Sequence, residues 1–384
     1  MTTSSDATVG YRHLYVHVPF CARRCSYCDF SIAIRTQVPW RAFADAVARE
    51  LHVRDAAQSC EALSTLYLGG GTPSRLGAEG VEWLFEQLHH HIRLEAHAEV
   101  TLEANPEDVS PAAVAAWRRA GVNRVSLGVQ SFDNRVLSWM HRVHDADAAI
   151  RAVDVLRSGG IDAFSLDLIF AAPLALERDW PADVRQLLSL DPDHISLYGL
   201  TIEPRTPLGR WHARGEVQEA PDELYEQQFL DAHVRLSEAG YEHYEVSNFA
   251  KPGRRARHNS AYWRHVPYLG LGPSAHGFNG VARRWNHSAF ASWEAALRDG
   301  IDPCGGSEML TGQNHEAERV YLGLRTIDGL ALRDAEEARV ALWRQQGWVA
   351  SVEDPAGSRI RCTASGWLRL DALAADLTAL RSHS

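Results

Sequence analysis

Residues 15 to 30 read Tyr15-Val16-His17-Val18-Pro19-Phe20-Cys21-Ala22-Arg23-Arg24-Cys25-Ser26-Tyr27-Cys28-Asp29-Phe30. An alternating pattern typical of a β-strand runs directly into three cysteines with x3 and x2 spacing. Half of the chain's six cysteines therefore lie within eight residues. Thiolates this close together can bind three corners of an iron–sulfur cube and leave the fourth iron without a protein ligand. An open metal position is what a site needs if it is to bind a further ligand.

Two other interpretations of the cysteines are weaker. A zinc site would need a fourth ligand such as His13, His17 or Asp29, and the x3 then x2 spacing is unusual for a zinc knuckle. A disulfide framework would leave one of the three clustered cysteines unpaired, and no apolar signal segment precedes them. We therefore favour the cluster, with zinc as the alternative. The remaining cysteines, Cys60, Cys304 and Cys362, are interpreted as small buried hydrophobic residues.

Length and charge bound the class of protein. A chain of 384 residues exceeds the size of one hydrophobic core, so we expect one large and one small domain. The net charge of −10 argues against a nucleic-acid surface, which needs a basic footprint. No apolar run approaches the ~20 residues that span a bilayer. We therefore expect a cytoplasmic protein that does not bind nucleic acid.

The order of predicted elements indicates a parallel α/β fold. Helical patterns alternate with predicted strands at 14–18, 63–68, 99–103, 124–128, 164–170 and 194–200. Six such units in succession predict a barrel or a fraction of one. The predicted division is a flexible leader over 1–10, the barrel with an extension over 11–311, and a small C-terminal unit over 312–384. The region 251–285 is predicted to be a long irregular loop.

The C-terminal unit has the helix, helix, strand-turn-strand, helix order of a winged helix. Such units usually bind DNA, but the acidic chain makes an interaction or lid role the better interpretation. In the barrel, parallel strands carry their chemistry at their carboxyl ends. The motifs in question each follow a predicted strand: the cysteines, Gly69-Gly70-Gly71-Thr72-Pro73, Glu103-Ala104-Asn105-Pro106, Gln130, and the segment from Asp167 to Pro173.

The cysteine motif, with Tyr27 just before its last cysteine, resembles that of the radical S-adenosylmethionine (SAM) superfamily. The resemblance implies a partial (β/α)6 barrel and a [4Fe–4S] cluster bound by Cys21, Cys25 and Cys28. It also implies that the open iron chelates the amino and carboxylate groups of SAM. The implied SAM contacts are Tyr15, Tyr27, Gly70, Gly71 and Thr72 (the last three at the amino group), Glu103 and Gln130 at polar atoms, Arg142 at the carboxylate and Asp167 at the ribose hydroxyls.

The resemblance extends along the chain to the oxygen-independent coproporphyrinogen oxidase branch, which contains the decarboxylating HemN enzymes and the HemW heme chaperones. HemN enzymes carry a further cysteine at the position of Phe30 and have a longer leader before the first strand. The segment His258-Asn259-Ser260-Ala261-Tyr262-Trp263 is similar to the His-Asn-x-x-Tyr-Trp motif of the chaperones. The resemblance therefore implies a heme chaperone without coproporphyrinogen oxidase activity. The alternative is an oxygen-independent coproporphyrinogen III dehydrogenase.

The chaperone assignment implies a heme site and partners. His258 would ligate the heme iron, flanking aromatic rings would stack on the macrocycle, and Arg254, Arg255 and Arg257 would pair its propionates. The expected partners are heme and heme-accepting enzymes, including enzymes at the cytoplasmic membrane face, and a second copy of the chain in a homodimer. One segment departs from the family: Ala171-Ala172-Pro173 stands where relatives have a glycine-containing turn.

Overall fold

The computed structural model describes residues 10–56, 59–353, 355 and 357–382. Residues 1–9 of the predicted leader lie outside the described residues. The strands are β1 (Tyr11–Val18), β2 (Phe20–Cys21), β3 (Ala33–Ile34), β4 (Cys60–Gly70), β5 (Leu94–Ala104), β6 (Arg124–Gln130), β7 (Ala163–Phe170), β8 (His194–Gly199), β9 (Glu242–Glu245), β10 (Asn248–Ala250), β11 (Leu269–Leu271), β12 (His276–Phe278), β13 (Ala282–Asn286), β14 (Cys304–Met309), β15 (Leu330–Ala331), β16 (Val349–Val352) and β17 (Arg359–Cys362).

The helices cover the faces of these sheets. They are α1 (Trp40–Val53), α2 (Gly77–His89), α3 (Pro111–Ala120), α4 (Asn134–Trp139), α5 (Ala146–Ser158), α6 (Trp180–Ser189), α7 (Pro207–Ala213), α8 (Asp222–Glu238), α9 (Arg257–Trp263), α10 (Phe290–Arg298), α11 (Gly312–Arg325), α12 (Glu337–Gln345), α13 (Ala364–Trp367) and α14 (Leu370–Ser382). In the described part of the chain, no helix combines the length and apolar character needed to cross a bilayer.

The main sheet confirms the predicted parallel architecture. Its strand order is β11-β1-β4-β5-β6-β7-β8-β10-β9. Six of these strands, β1, β4, β5, β6, β7 and β8, pair in parallel in sequence order. Leu68, Leu102, Leu127 and Leu166 on neighbouring strands are buried in one continuous core, as expected for strands covered on both faces. The carboxyl ends of the six strands therefore meet at one rim.

Both edges of the six-strand unit are extended by later parts of the chain. At one edge β11 pairs in parallel with β1, and at the other the β9–β10 hairpin pairs antiparallel with β8. The prediction of an irregular loop over 251–285 was wrong, because this region contains α9, β11, β12 and most of β13. A seven-residue helix and three-residue strands are too short to produce a visible period, and their structure depends on pairing with distant strands.

The C-terminal part forms a separate small sheet. Strands β15, β17 and β16 pair antiparallel in that order and pack with helices α11 to α14. The predicted order of helix, helix, two strands and helix is present as α11, α12, β16, β17 and the pair α13 and α14. The structure adds the short strand β15 between α11 and α12. Trp367 Nε1 donates a hydrogen bond to the Leu324 carbonyl at 3.1 Å, which ties α13 to α11. The division of the chain at residue 312 stays a prediction.

Candidate functional site

A cavity of about 470 Å³ opens at the carboxyl ends of the parallel strands. This volume lies within the ~300–1,000 Å³ range of small-molecule sites. The cavity brings together eleven of the thirteen residues that the sequence assigns to the cluster, SAM and heme. They are Cys21, Cys25, Tyr27, Cys28, Gly70, Gly71, Thr72, Glu103, Gln130, Arg142 and Asp167.

The cysteine loop is fixed at both ends and in its middle. Strand β2 pairs with β3, and the Ala33 amide donates to the Pro19 carbonyl at 2.7 Å. Inside the loop, the Ser26 amide donates to the Met140 carbonyl at 3.1 Å, and the Ser26 carbonyl accepts from the Leu208 amide at 2.8 Å. The loop is therefore held by segments far away in sequence, so its three thiols have defined positions.

The thiols face polar groups from the neighbouring strand ends. Cys21 Sγ lies 3.4 Å from Thr72 Oγ1, and Cys25 Sγ accepts a hydrogen bond from Arg142 at 3.4 Å. Burial raises the pKa of the Cys21 thiol to about 11. Among the residues that the structure describes, no three His, Cys, Asp or Glu side chains form a group that could hold a metal ion. In a [4Fe–4S] cluster each thiolate binds a different iron, so its ligands need not converge on one point.

The glycine segment is shaped by the end of β1. Gly70 has a φ of +112°, and a Cβ added to it would lie 2.6 Å from the His17 ring. A Cβ on Gly71 would lie 2.7 Å from the Pro19 carbonyl group. A side chain at Gly70 would displace His17 of β1, and one at Gly71 would displace the backbone that leads into the cysteine loop. Glycine is therefore required here by packing within the protein, in addition to the predicted approach of a ligand.

Glu103 is held at the end of β5 by two donors. Tyr67 OH donates to its Oε1 at 2.8 Å, and the Gly70 amide donates to its Oε2 at 3.0 Å. Burial raises the pKa of the Glu103 carboxyl to about 7, although these two hydrogen bonds act in the opposite direction. The carboxyl group can therefore change its charge near neutral pH while facing the cavity.

Asp167 and Gln130 follow the next strands along the sheet. Asp167 accepts hydrogen bonds from Ser126 Oγ and Ser165 Oγ, both at 2.9 Å, and burial raises the pKa of its carboxyl. Gln130 has a φ of +68° and lies at a register shift between β6 and β7. A non-glycine residue in this conformation is strained, and such strain is concentrated at functional sites.

Arg142 is buried beside the cysteines and contacts several elements of the rim. Its Nη2 donates to Asn105 Oδ1 at 2.6 Å and to the Gly128 carbonyl at 2.8 Å. Its Nε is buried and has no hydrogen-bond partner among the described residues. A buried, unsatisfied donor of a charged group is costly, so it marks a position where a ligand acceptor would be stabilised.

Two predicted contacts lie behind the cavity wall. Tyr15 stacks on Tyr67 with ring centroids 6.2 Å apart, and its hydroxyl lies 3.0 Å from His17 Nδ1. His258 is buried and also stacks on Tyr67, with ring centroids 5.0 Å apart. Neither residue borders the cavity. Tyr15 and His258 are therefore supporting residues in this structure, and their predicted ligand contacts stay predictions.

Both ring nitrogens of His258 are engaged. Nδ1 lies 2.6 Å from Thr65 Oγ1 and Nε2 lies 2.7 Å from Tyr262 OH, and burial lowers the pKa of the ring to about 3. The arginines predicted to pair propionates are also occupied. Arg255 pairs with Glu242 and Asp328, Arg254 with Asp193, and Arg257 donates to the His97 carbonyl. The predicted heme contacts at His258 would thus require rearrangement.

Sequence reasoning gave no individual role to several residues that border the cavity, among them Asn105 and Tyr198. Asn105 lies two residues after Glu103 and positions Arg142, and Tyr198 extends from the end of β8. Asn105 follows β5 and Tyr198 lies near the carboxyl end of β8, and these strand ends were already expected to carry the site. Their position at the strand ends was the signal that the sequence offered. A polar or aromatic residue there is informative even without a match to a family motif.

The fold and the site together define a radical SAM protein. The family model described as the Radical SAM superfamily matches residues 15–187. The chain is 36% identical to the heme chaperone HemW of Mycobacterium tuberculosis (strain ATCC 25618 / H37Rv), over 94% of this chain and 93% of that protein. It is 38% identical to the heme chaperone HemW of Escherichia coli (strain K12), over 69% of each. The chain therefore belongs to the HemW heme chaperone family.

A solved structure provides an independent comparison of the fold. Coproporphyrinogen III oxidase (HemN) from Escherichia coli superposes with a TM-score of 0.79, and the match covers 96% of this chain and 90% of that one. The two sequences are 21% identical in this comparison. The similarity therefore extends through the C-terminal unit and shows a common fold.

Proposed function

We propose that this chain is a radical SAM-type heme chaperone that binds heme and delivers it to heme-dependent enzymes. The observation that carries the proposal is the similarity to proteins named heme chaperone HemW along 93% of the length of one such relative. The acceptors would include enzymes at the cytoplasmic membrane face. The cluster and SAM would tune dimerisation or transfer.

The residues of the cavity fit the proposed cofactors. Three cysteines and the side chain of Arg142 border one space, together with Glu103 and Asp167. Cys21, Cys25 and Cys28 would hold a [4Fe–4S] cluster, and its open iron would supply a chelating position for SAM. Gly70, Gly71 and Thr72 would face the SAM amino group, Glu103 polar atoms of SAM, Arg142 its carboxylate, and Asp167 the ribose hydroxyls. Gln130 and Tyr27 would complete the polar wall.

Phe30 supports the chaperone over the dehydrogenase. It borders the cavity mouth and is 60% exposed, at the position where the resemblance expects a further cysteine in HemN enzymes. A phenyl ring supplies neither a thiol nor a titratable proton. A dehydrogenase mechanism that uses that cysteine would lack a reacting group here.

The experiment separates the two functions. Anaerobically reconstituted protein is titrated with heme while the Soret band is recorded, and the loaded protein is then mixed with an apo-peroxidase. We expect saturable heme binding and recovery of peroxidase activity. In parallel the protein is incubated with SAM, a reductant and coproporphyrinogen III, with Escherichia coli HemN as the positive control. Formation of protoporphyrinogen by this chain would overturn the proposal in favour of the dehydrogenase.

A further inference from the structure

A second cavity, of about 660 Å³, lies between α9 and the C-terminal unit. Its walls include Trp263, Tyr244 and His265 on one side and Leu322, Gly323 and Leu330 on the other. None of its lining residues borders the cysteine cavity, so the two spaces are separate. The volume is again in the ~300–1,000 Å³ range of ligand sites. We call this space the arginine cavity, because six arginines line it.

Six arginines line the arginine cavity: Arg255, Arg264, Arg319, Arg333, Arg359 and Arg381. Asp328 is the one carboxylate among the lining residues that the structure describes. The described carboxylates that pair with these arginines are Glu242, Glu316, Asp328 and Glu336. Glu316 is shared, because its Oε1 accepts from Arg333 at 2.9 Å and from Arg381 at 2.8 Å. Such a concentration of guanidinium groups, on a chain with a net charge of −10, makes this space attractive to an anion.

The mouth of the arginine cavity holds guanidinium groups that a ligand can reach. The side chains of Arg264 and Arg319 are each 65% exposed. The nearest carboxylate to Arg264 is Asp328 at 3.9 Å, and Arg319 makes a short-range helical pair with Glu316. Exposed pairs of this kind contribute little free energy, so an incoming carboxylate can replace them at small cost.

The apolar wall is aromatic and comes from the His-Asn-x-x-Tyr-Trp segment. Trp263 is half-buried, and its ring centroid lies 5.9 Å from that of Tyr244. His258, at the start of the same segment, anchors α9 to the barrel in two ways. Its ring contacts Thr65, and its backbone N–H donates a hydrogen bond to Glu99 Oε1 at 2.9 Å. The segment therefore fixes one wall of the arginine cavity, and His258 is a positioning residue within it.

His265 follows α9 and borders the arginine cavity as well as a smaller adjoining cavity of about 260 Å³. Its Nε2 lies 2.7 Å from Glu318, and its ring stacks on Phe278 with centroids 4.5 Å apart. Its φ of +57° is unfavourable for a non-glycine residue. Metal-binding imidazoles usually have a carboxylate beside the ring nitrogen that does not bind the metal. With Nε2 beside Glu318, the nitrogen of His265 that would bind iron is Nδ1.

We propose that the arginine cavity is the heme site, with His265 as the axial ligand, Trp263 against the macrocycle, and Arg264 and Arg319 pairing the propionates. The inference rests on the proposed function and specifies where it takes place. It replaces His258 as the iron ligand, because His258 is buried with both nitrogens engaged. A planar dianion with an apolar body matches an aromatic wall and an arginine-rich rim.

The first test uses the reconstituted full-length protein and ferric heme. His265→Asn removes the imidazole but keeps a residue that tolerates positive φ. We expect a shifted Soret band, a changed EPR spectrum of the ferric heme and at least tenfold weaker binding. His276→Asn is the matched control, since His276 is exposed on β12 and borders neither cavity. A His265→Asn protein with the wild-type spectrum and affinity would overturn the assignment.

The second test reverses charges at the rim. Arg264→Glu with Arg319→Glu should weaken heme binding at least tenfold, whereas iron protoporphyrin dimethyl ester, which lacks free carboxylates, should bind both proteins alike. The matched control is Arg185→Glu with Arg298→Glu, two arginines of similar exposure elsewhere. Equal heme affinity in the rim variant and the control would show that Arg264 and Arg319 do not pair the propionates. If the wild-type protein binds no heme at all, the proposed chaperone function fails. If it binds heme but the variants bind as the wild type does, only the assignment of heme to the arginine cavity fails.

Discussion

The guanidinium of Arg142 lies 3.4 Å from the Sγ of Cys25, although 117 residues separate them in sequence. The same side chain reaches Asn105 and the Gly128 carbonyl. One arginine thus connects the cysteine loop with the ends of β5 and β6. Its arrangement explains how residues from three strand ends form one continuous wall of the cavity.

Replacing Cys25 by serine should abolish the iron–sulfur cluster. A hydroxyl is a poor substitute for a thiolate, so one iron would lose its protein ligand. Iron and acid-labile sulfide analysis of anaerobically purified protein measures the effect. Cys304→Ser is the control, because Cys304 lies outside the cavity, and it should keep wild-type iron and sulfide. Stoichiometric zinc without sulfide in the wild-type protein would contradict the cluster assignment.

Asp167→Asn should weaken SAM binding at least tenfold while the cluster remains. The carboxylate accepts from two serines and faces the cavity, and a charge-assisted hydrogen bond is worth about 1.5–3 kcal/mol. Equilibrium binding of labelled SAM to the reconstituted protein measures the loss. Asp147→Asn, at an exposed position of α5, should bind as the wild type does. Equal affinities in all three proteins would remove Asp167 from the site.

SAM affinity should rise with pH between about 6 and 8 in the wild-type protein. The raised pKa of Glu103, about 7, keeps its carboxyl largely neutral below this value, and only the ionised form attracts the positively charged groups of SAM. In Glu103→Gln the affinity should be lower at pH 8 and should change less with pH. Binding isotherms at several pH values measure both. Parallel pH profiles in the two proteins would argue against the contact.

The same pKa predicts a change in stability that needs no ligand. Because folding raises the pKa of Glu103 above its ordinary value, its favourable contribution is complete below the unfolded pKa and is lost as pH rises through about 7. Glu103→Gln should therefore lose less unfolding free energy than the wild type between pH 5 and pH 8. Denaturant titration of the cluster-free proteins measures this difference. An identical pH dependence would mean that Glu103 is ionised throughout.

Ala171→Gly should stabilise the protein by about 0.5–1 kcal/mol. A left-handed conformation costs alanine about 1–2 kcal/mol, and glycine avoids this cost. Part of the gain is lost because glycine increases the conformational entropy of the unfolded chain. Ala171 has a φ of +56°, and its amide donates to Gln228 Oε1 at 2.8 Å, which fixes this conformation. Ala172→Gly, next to it, has no such strain to relieve and should destabilise. Urea unfolding of both variants provides the measurement.

The strand ends and the cysteine loop could be predicted because their signals are local. Predicted strands run up to the cysteines, to the segment with Gly70 and to Glu103, and the predicted strand 164–170 contains Asp167. Parallel strands bring their carboxyl ends to one rim. The positions of Tyr15 and His258 could not be predicted in this way. Both stack on Tyr67, which is distant from each of them in sequence.

The structure around His258 also depends on long-range contacts. Helix α9 has seven residues, and its first amides are satisfied by Glu99 of β5. The motif was visible in the sequence, but its partners Thr65 and Glu99 were not. A histidine in a basic, aromatic segment therefore suggested an iron ligand, whereas in the structure His258 is buried and both ring nitrogens are engaged.

The pairing of β1 with β11 has a consequence for biogenesis. Leu14 pairs with Leu269 and Val16 with Leu271, and Ser31 Oγ donates to the Ser288 carbonyl at 3.1 Å. A nascent chain that has only reached β8 would leave β1 as an open sheet edge beside the cysteines, and such edges pair readily with other chains. Contacts of this sequence separation form late in folding. Loading of the cysteine loop would therefore follow translation past residue 288, and C-terminal truncations before that point would aggregate.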